Sequence, residues 1–124
     1  MKNKTDIIWL DEVDSTNNEA KRRFDDIDNL SVLSALSQTS GRGQRGNTWT
    51  SDPGANLTFS IVLKYDRMDG SRIQAYDQFA ISQIASLAVV DFLARRGIRA
   101  EIKWPNDIYT SNGKICGILI ENSV

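Results

Sequence analysis

Gly41-Arg42-Gly43-Gln44-Arg45-Gly46-Asn47 sets three glycines and two arginines shortly after an apolar, strand-like run, and so satisfies the G-x-G-x-x-G pattern of a dinucleotide-binding turn. That fingerprint needs a helix to open on its last glycine. Beyond Asn47 the chain runs Thr48-Trp49-Thr50-Ser51-Asp52-Pro53-Gly54, a turn-rich stretch, so a doubly wound fold is not expected. An anion at this loop would meet backbone amides freed by glycine and the forks of Arg42 and Arg45, not a helix N-terminus.

The chain has 124 residues, 40% hydrophobic and 25% charged, which predicts one soluble globular domain able to bury a core. Fifteen Lys plus Arg against sixteen Asp plus Glu give a formal charge of -1. No bulk cationic field exists for nucleic acid or anionic membranes, and any anion site must be local. Histidine is absent and Cys116 is the single cysteine, which excludes Ser-His-Asp and Cys-His catalysis, ordinary zinc sites and intrachain disulfides. The start of the chain lacks the apolar region of a signal peptide, and no segment approaches the ~20 apolar residues of a membrane span. A cytoplasmic location is therefore expected.

Ile7 to Val13 reads as a strand, and Asp14-Ser15-Thr16 stops it and opens a short polar helix, through about Phe24, with Thr16 and Glu19 spaced as a capping box. Ser31 to Ser37 alternates closely enough for a second strand. Gln38 to Asn56 has no period, and so long an irregular stretch suits function. Leu57 to Tyr65 is β-rich, Asp66 to Gly70 a loop, and a long helix begins between Arg72 and Gln78. Phe79, Ile81, Ile84, Leu87, Val89, Val90, Phe92 and Leu93 surround that helix, leaving Ser82, Gln83 and Ser86 as a narrow polar stripe. It is expected to be central and mostly buried, with Arg95-Arg96 at its negative end and Gly97 as a left-handed cap. Ile98 to Lys103 and Lys114 to Glu121 read as strands, the latter entering a hairpin through the Ser111-Asn112-Gly113 turn. The pattern predicts an α+β domain with a mixed or antiparallel sheet and a long buried helix.

Each candidate site residue also has an ordinary reading. The Gly/Arg loop alone is a surface turn; Ser15, Thr16 and Asn17 alone are helix-capping residues. Trp104-Pro105-Asn106-Asp107 is turn chemistry, yet Lys103 and a tryptophan are unusual company for a plain connection. Lys114 alone is a solvated lysine at a strand start, Gly117 weakens its strand unless a bulge or ligand approaches, and Cys116 is a small buried strand residue. Trp49 could anchor the loop or cover a ligand ring, while Trp9 is assigned to the core.

Together these pieces resemble the catalytic domain of biotin protein ligases, also called biotin-[acetyl-CoA-carboxylase] ligases. The resemblance is carried by Asp14-Ser15-Thr16-Asn17, Gln38 with Gly41 to Gly46, Trp49, Pro53-Gly54-Ala55-Asn56-Leu57, Lys103-Trp104-Pro105-Asn106-Asp107-Ile108-Tyr109, and Gly113-Lys114-Ile115-Cys116-Gly117-Ile118-Leu119-Ile120-Glu121. The order is the family's and spans nearly the whole chain.

The resemblance implies a class II aminoacyl-tRNA synthetase/biotin ligase-like fold. It also implies a two-step reaction in which biotin and ATP give biotinyl-5'-adenylate and pyrophosphate, with Mg2+ accompanying ATP, before biotin passes to a lysine of a biotin carboxyl carrier protein. Ser15, Thr16, Asn17 and Gln38 would serve the biotin ring, and Gly41, Arg42 and Gly117 its tail and carboxylate. Lys114 would stand between that carboxylate and the α-phosphate, Arg45 would order the loop over the phosphates, and Asn106 and Asp107 would assist adenylation or the acceptor lysine. Arg42, Gln44, Arg45, Trp49 and Asn106 form the nucleotide side; Lys114, Arg42, Arg45 and Asp107 the catalytic set; no resident metal site is implied.

Gln44 stands where many bacterial members carry Arg, which predicts weaker retention of the adenylate. The family's catalytic domain continues past Glu121 and usually ends in a small β-barrel, so the chain reads as truncated, the N-terminal part of such a domain, without that barrel and without a DNA-binding domain. No DNA or membrane partner is expected; a homodimer is compatible with the family. Three rivals stand beside this reading: a lipoate or octanoyl ligase or transferase, a biotin-binding fragment without turnover, and an anion-binding structural domain. The biotin reading expects the 41–46 loop and the Lys114 ammonium to converge.

Overall fold

A computed structural model describes residues 6–64 and 75–122. The chain divides into two compact units, residues 1–72 with 121–124 and residues 73–120. The first unit opens with β1 (Ile7–Val13), α1 (Thr16–Arg22) and a single 3-10 turn at Phe24–Asp26, then β2 (Val32–Gln38) and β3 (Thr58–Ile61). β1 pairs parallel with β2, and β2 antiparallel with β3, giving a mixed sheet of order β1-β2-β3. Alternation along β2 sends Leu33 and Ala35, nearly fully buried, to one face, where Ser60 stands opposite Leu33. α1 contacts β2 and β3.

The other face of this sheet carries Trp9, in register with Ser34, and Phe59, also paired with Ser34. Trp9 is 75% exposed, so its assignment to the core is corrected: the period of 2 places it opposite the Leu33 face. α1 also starts differently from expectation. Ser15 is the N-cap, its hydroxyl accepting from the Asn18 amide at 3.0 Å, because the Thr16 hydroxyl is engaged with Ser60 instead of with its own helix.

The second unit holds α2 (Ala75–Ala94) followed by an antiparallel meander of β4 (Glu101–Lys103), β5 (Asp107–Thr110) and β6 (Gly113–Gly117). Among the described residues the sheets are thus two, one mixed and one antiparallel, in an α+β arrangement of elements. α2 ends as its sequence implies: Ile98 N–H donates to the Leu93 carbonyl and Gly97 N–H to that of Ala94, the paired bonds of a Schellman stop, with Gly97 at φ +77°. Its burial does not follow expectation. Ile84, Leu87 and Phe92 are exposed and Ser86 is buried, since within this unit the helix packs on β4 and β5, and the small Ser86 suits a close approach. Ile108, fully buried, centres the unit, and the Phe79 and Trp104 rings lie 5.1 Å apart.

The strand expected from Ile98 is formed only at Glu101–Lys103, and the one expected through Glu121 stops at Gly117. A register shift at Ile108/Tyr109 interrupts the regular β5–β6 ladder. The Asp66 to Gly70 loop lies outside the described residues. No helix among the described residues is long and apolar enough to cross a membrane.

Candidate functional site

In the first unit, the turn between β1 and α1 delivers Ser15 and Thr16, both 3% exposed, beside the end of β2 and the middle of β3. The Thr16 amide donates to Gln38 Oε1 at 2.7 Å, and the Thr16 and Ser60 hydroxyls lie 2.7 Å apart. Ser60 Oγ also donates to Asn17 Oδ1. Its single proton is thereby committed, so Thr16 Oγ1 is the donor toward Ser60. Asn17 Nδ2 then donates to Glu121 Oε1 at 3.0 Å, and the same oxygen accepts from Arg42 Nη2 at 2.6 Å. Lys21 Nζ stands 3.3 Å from the other oxygen of Glu121.

One hydrogen-bonded path therefore runs Gln38–Thr16–Ser60–Asn17–Glu121–Arg42. Desolvation alone would raise the Glu121 carboxyl, but the bonds from Asn17, Arg42 and Lys21 outweigh it and hold the group below its ordinary value of 4.5. At the entry to α1, Arg22 grips both oxygens of Asp14, at 2.6 and 3.1 Å, and Asn18 adds a bond at 2.8 Å. Chiefly through Arg22, Asp14 is held well below the usual carboxylate range. These bonds fix the turn that presents Ser15 to Asn17.

The glycine/arginine segment closes on itself. Trp49 N–H donates to the Gly41 carbonyl, Gly43 N–H to that of Asn47 and Asn47 N–H to that of Gln44, at 2.8, 2.7 and 3.1 Å. Arg45 (φ +56°) and Gly46 (φ +75°) make its left-handed tip, a 3-10 turn at Gln44–Gly46. The Gly43 amide, offered by the sequence to an anion, thus closes the hairpin instead. Gly41 is buried, and the half-exposed Arg42 is its direct neighbour. Trp49 is 37% exposed.

In the second unit, Lys114, on β6, pairs with Asp107 at the start of β5, 3.0 Å from nitrogen to oxygen, both side chains about one-third exposed. Asn106 is 3% exposed, and Gly117 stands opposite Asp107 in the ladder. Lys103 Nζ lies 4.2 Å from the centre of the Tyr109 ring. Burial pushes the Cys116 thiol up, Lys114 opposing and Asp107 reinforcing. A recess of about 240 Å³ in the same unit is lined by Gln83, Ser86, Leu87, Ile102, Trp104 and Pro105.

Thr16, Asn17, Gln38 and Arg42 are therefore brought into one network, with Ser15 capping beside it and Gly41 packed under it. Gln44, Arg45 and Trp49 lie on the adjoining hairpin. Lys114, Asp107, Asn106 and Gly117 belong to the second unit. Sequence reasoning missed Ser60 and Lys21, and it gave Glu121 no role. A serine inside an apolar strand and an acid closing an apolar run are the signals that could have marked two of them.

A sequence profile of the biotin/lipoate A/B protein ligase family matches residues 9–123. The chain is 36% identical over 117 residues to a biotin--[acetyl-CoA-carboxylase] ligase of Paracoccus denitrificans, covering 92% of this chain and 46% of that protein. It is 31% identical over 116 residues to the bifunctional ligase/repressor BirA of Escherichia coli, covering 93% of this chain and 34% of that one. Its fold matches the biotin protein ligase of Aquifex aeolicus, solved in complex with biotin and ATP, with a TM-score of 0.77 and 32% identity, over 95% of this chain and 47% of that one. The chain thus spans less than half the length of each of these proteins. By these matches the chain belongs to the biotin/lipoate A/B protein ligase family.

Proposed function

We propose that this chain carries the biotin-handling part of an ATP-dependent biotin–protein ligase, which makes biotinyl-5'-adenylate and transfers biotin to a lysine of a biotin carboxyl carrier protein. The observation that carries the reading is the path from Gln38 through Thr16 and Asn17 to Arg42. It sets neutral amide and hydroxyl groups at one end and a guanidinium at the other. Biotin has the matching polarity, a neutral ureido ring that both donates and accepts and a carboxylate tail. Polar groups already oriented by one another offer their remaining donor and acceptor positions to a ureido ring, and a ligand lacking that group cannot use them. That asymmetry supports biotin over lipoate.

In the first step the biotin carboxylate oxygen bonds to the α-phosphorus of ATP as the bond to the pyrophosphate oxygen breaks. In the second, the carrier lysine's amine bonds to the acyl carbon, AMP leaves and the amine loses a proton. Neither step needs a protein nucleophile, so positioning and charge neutralisation suffice. Arg42 would hold the carboxylate, Lys114 would offset charge between it and the α-phosphate, and Arg45 with Gln44, Trp49 and Asn106 would serve the nucleotide. Asp107, paired with Lys114, would place that ammonium and assist the acceptor amine. Magnesium would arrive on the ATP phosphates, a mode that asks for one or two carboxylates at most. The described residues hold no cluster of three or more His, Cys, Asp or Glu side chains. A cytoplasmic setting and pairing with a second copy belong to the same reading.

Biotin-dependent exchange of labelled pyrophosphate into ATP tests it. The chain is expected to bind biotin in preference to lipoate and to support exchange, and Lys114→Gln to lower the exchange rate by about 10²–10³-fold with biotin affinity retained. Biotin binding without exchange would leave a binding module, and absence of biotin binding would overturn the reading.

A further inference from the structure

We infer that Glu121 is a positioning residue for the ligand carboxylate: by accepting from both Asn17 and Arg42 on one oxygen, it aims the Arg42 guanidinium at the tail end of a molecule whose ring meets Thr16 and Gln38. The inference rests on the proposed biotin reading and names a role that the glycine/arginine motif does not contain. Glu121 lies 79 positions from Arg42 and 104 from Asn17, so only the fold brings them together.

Three donors converge on this carboxylate: Arg42 at 2.6 Å and Asn17 at 3.0 Å on Oε1, and Lys21 at 3.3 Å on Oε2. Arg42 engages through one Nη, and its other donors make no hydrogen bond among the described residues. An arginine held by one nitrogen keeps the rest of its planar fork for an incoming carboxylate or phosphoryl oxygen. Immobilised beforehand, it loses less conformational freedom on binding. The same oxygen also receives Asn17, so the direction of the guanidinium is coupled to that of the amide at the ring end. Ser60 completes the coupling by fixing the other side of Asn17.

Two measurements on the full chain test this. Calorimetry with biotin is expected to give about tenfold weaker binding for Glu121→Ala. Glu121→Gln, which keeps an oxygen for Asn17 and Arg42, should stay within about threefold of the unsubstituted chain, while a residue of purely structural importance would lower the unfolding temperature without moving affinity. Carboxyl NMR of the unliganded chain is expected to show Glu121 titrating below 4.5 and returning toward it in Arg42→Gln. Unchanged affinity in Glu121→Ala, or an unchanged Glu121 titration in Arg42→Gln, overturns the inference. A chain with no affinity for biotin removes the functional reading alone, and the titration then decides whether Glu121 holds Arg42.

Discussion

At Gly41 a Cβ would lie 2.5 Å from the Trp49 carbonyl oxygen and 2.9 Å from Gln38 Nε2. Neither neighbour can yield cheaply. The Trp49 backbone is tied to Gly41 by a hydrogen bond, and Gln38 is tied to Thr16 through its amide oxygen. Gly41→Ala should therefore destabilise the chain by about 1–3 kcal/mol, the usual scale of overpacking. Displacing Gln38 should also cost biotin affinity, because the Thr16 amide loses its acceptor. Urea unfolding and calorimetry check both, and an unchanged unfolding midpoint would show that the hairpin moves freely. This glycine matters for space and Gly46 for its left-handed backbone, two causes that the repeated letter G in the motif conceals.

At the scale of elements, Gly97 separates backbone conformation from packing. It sits at φ +77° with nothing within 4 Å of an added Cβ, so Gly97→Ala adds only left-handed strain, expected at about 1–2 kcal/mol. Thermal unfolding measures it, and no loss would mean that α2 can end on another stop. This stop was legible in sequence, as were β1, with the observed bounds, and β2, displaced by one residue, because caps and short-range alternation are local facts. The capping residue of α1 was misplaced by one because Thr16 makes its hydroxyl bond to Ser60, 44 positions away. For the same reason the candidate site was half legible. Thr16, Asn17, Gln38 and Arg42 announce themselves by type and order, whereas Ser60, Lys21 and Glu121 join only when β3 and the chain beyond residue 120 come alongside. The burial of α2 was misread because an apolar surround tells that a helix seeks cover, not which stripe receives it.

Over the whole molecule, the apolar surface left in water decides how the chain behaves in solution. One face of the mixed sheet exposes Trp9 (75%), Leu36 (60%), Phe59 (51%) and Ile61 (55%), and α2 exposes Ile84, Leu87 and Phe92. Exposed apolar side chains in such number mark contact sites or association, and a formal charge of -1 supplies little repulsion to oppose it. The chain should bind a hydrophobic fluorescent dye while folded and associate as concentration rises, with little response to salt because the attraction is not ionic. Replacing Trp9 and Leu36 together by Thr keeps strand propensity while removing large exposed side chains. That double variant should lose much of the dye signal and sediment closer to the monomer. Its unfolding free energy should stay within about ±0.5 kcal/mol per site, since these side chains contribute little buried area. Dye binding that survives the double substitution in full would move the attraction to the exposed stripe of α2. An unsubstituted chain that binds no dye and stays monomeric would mean that both faces are covered in solution.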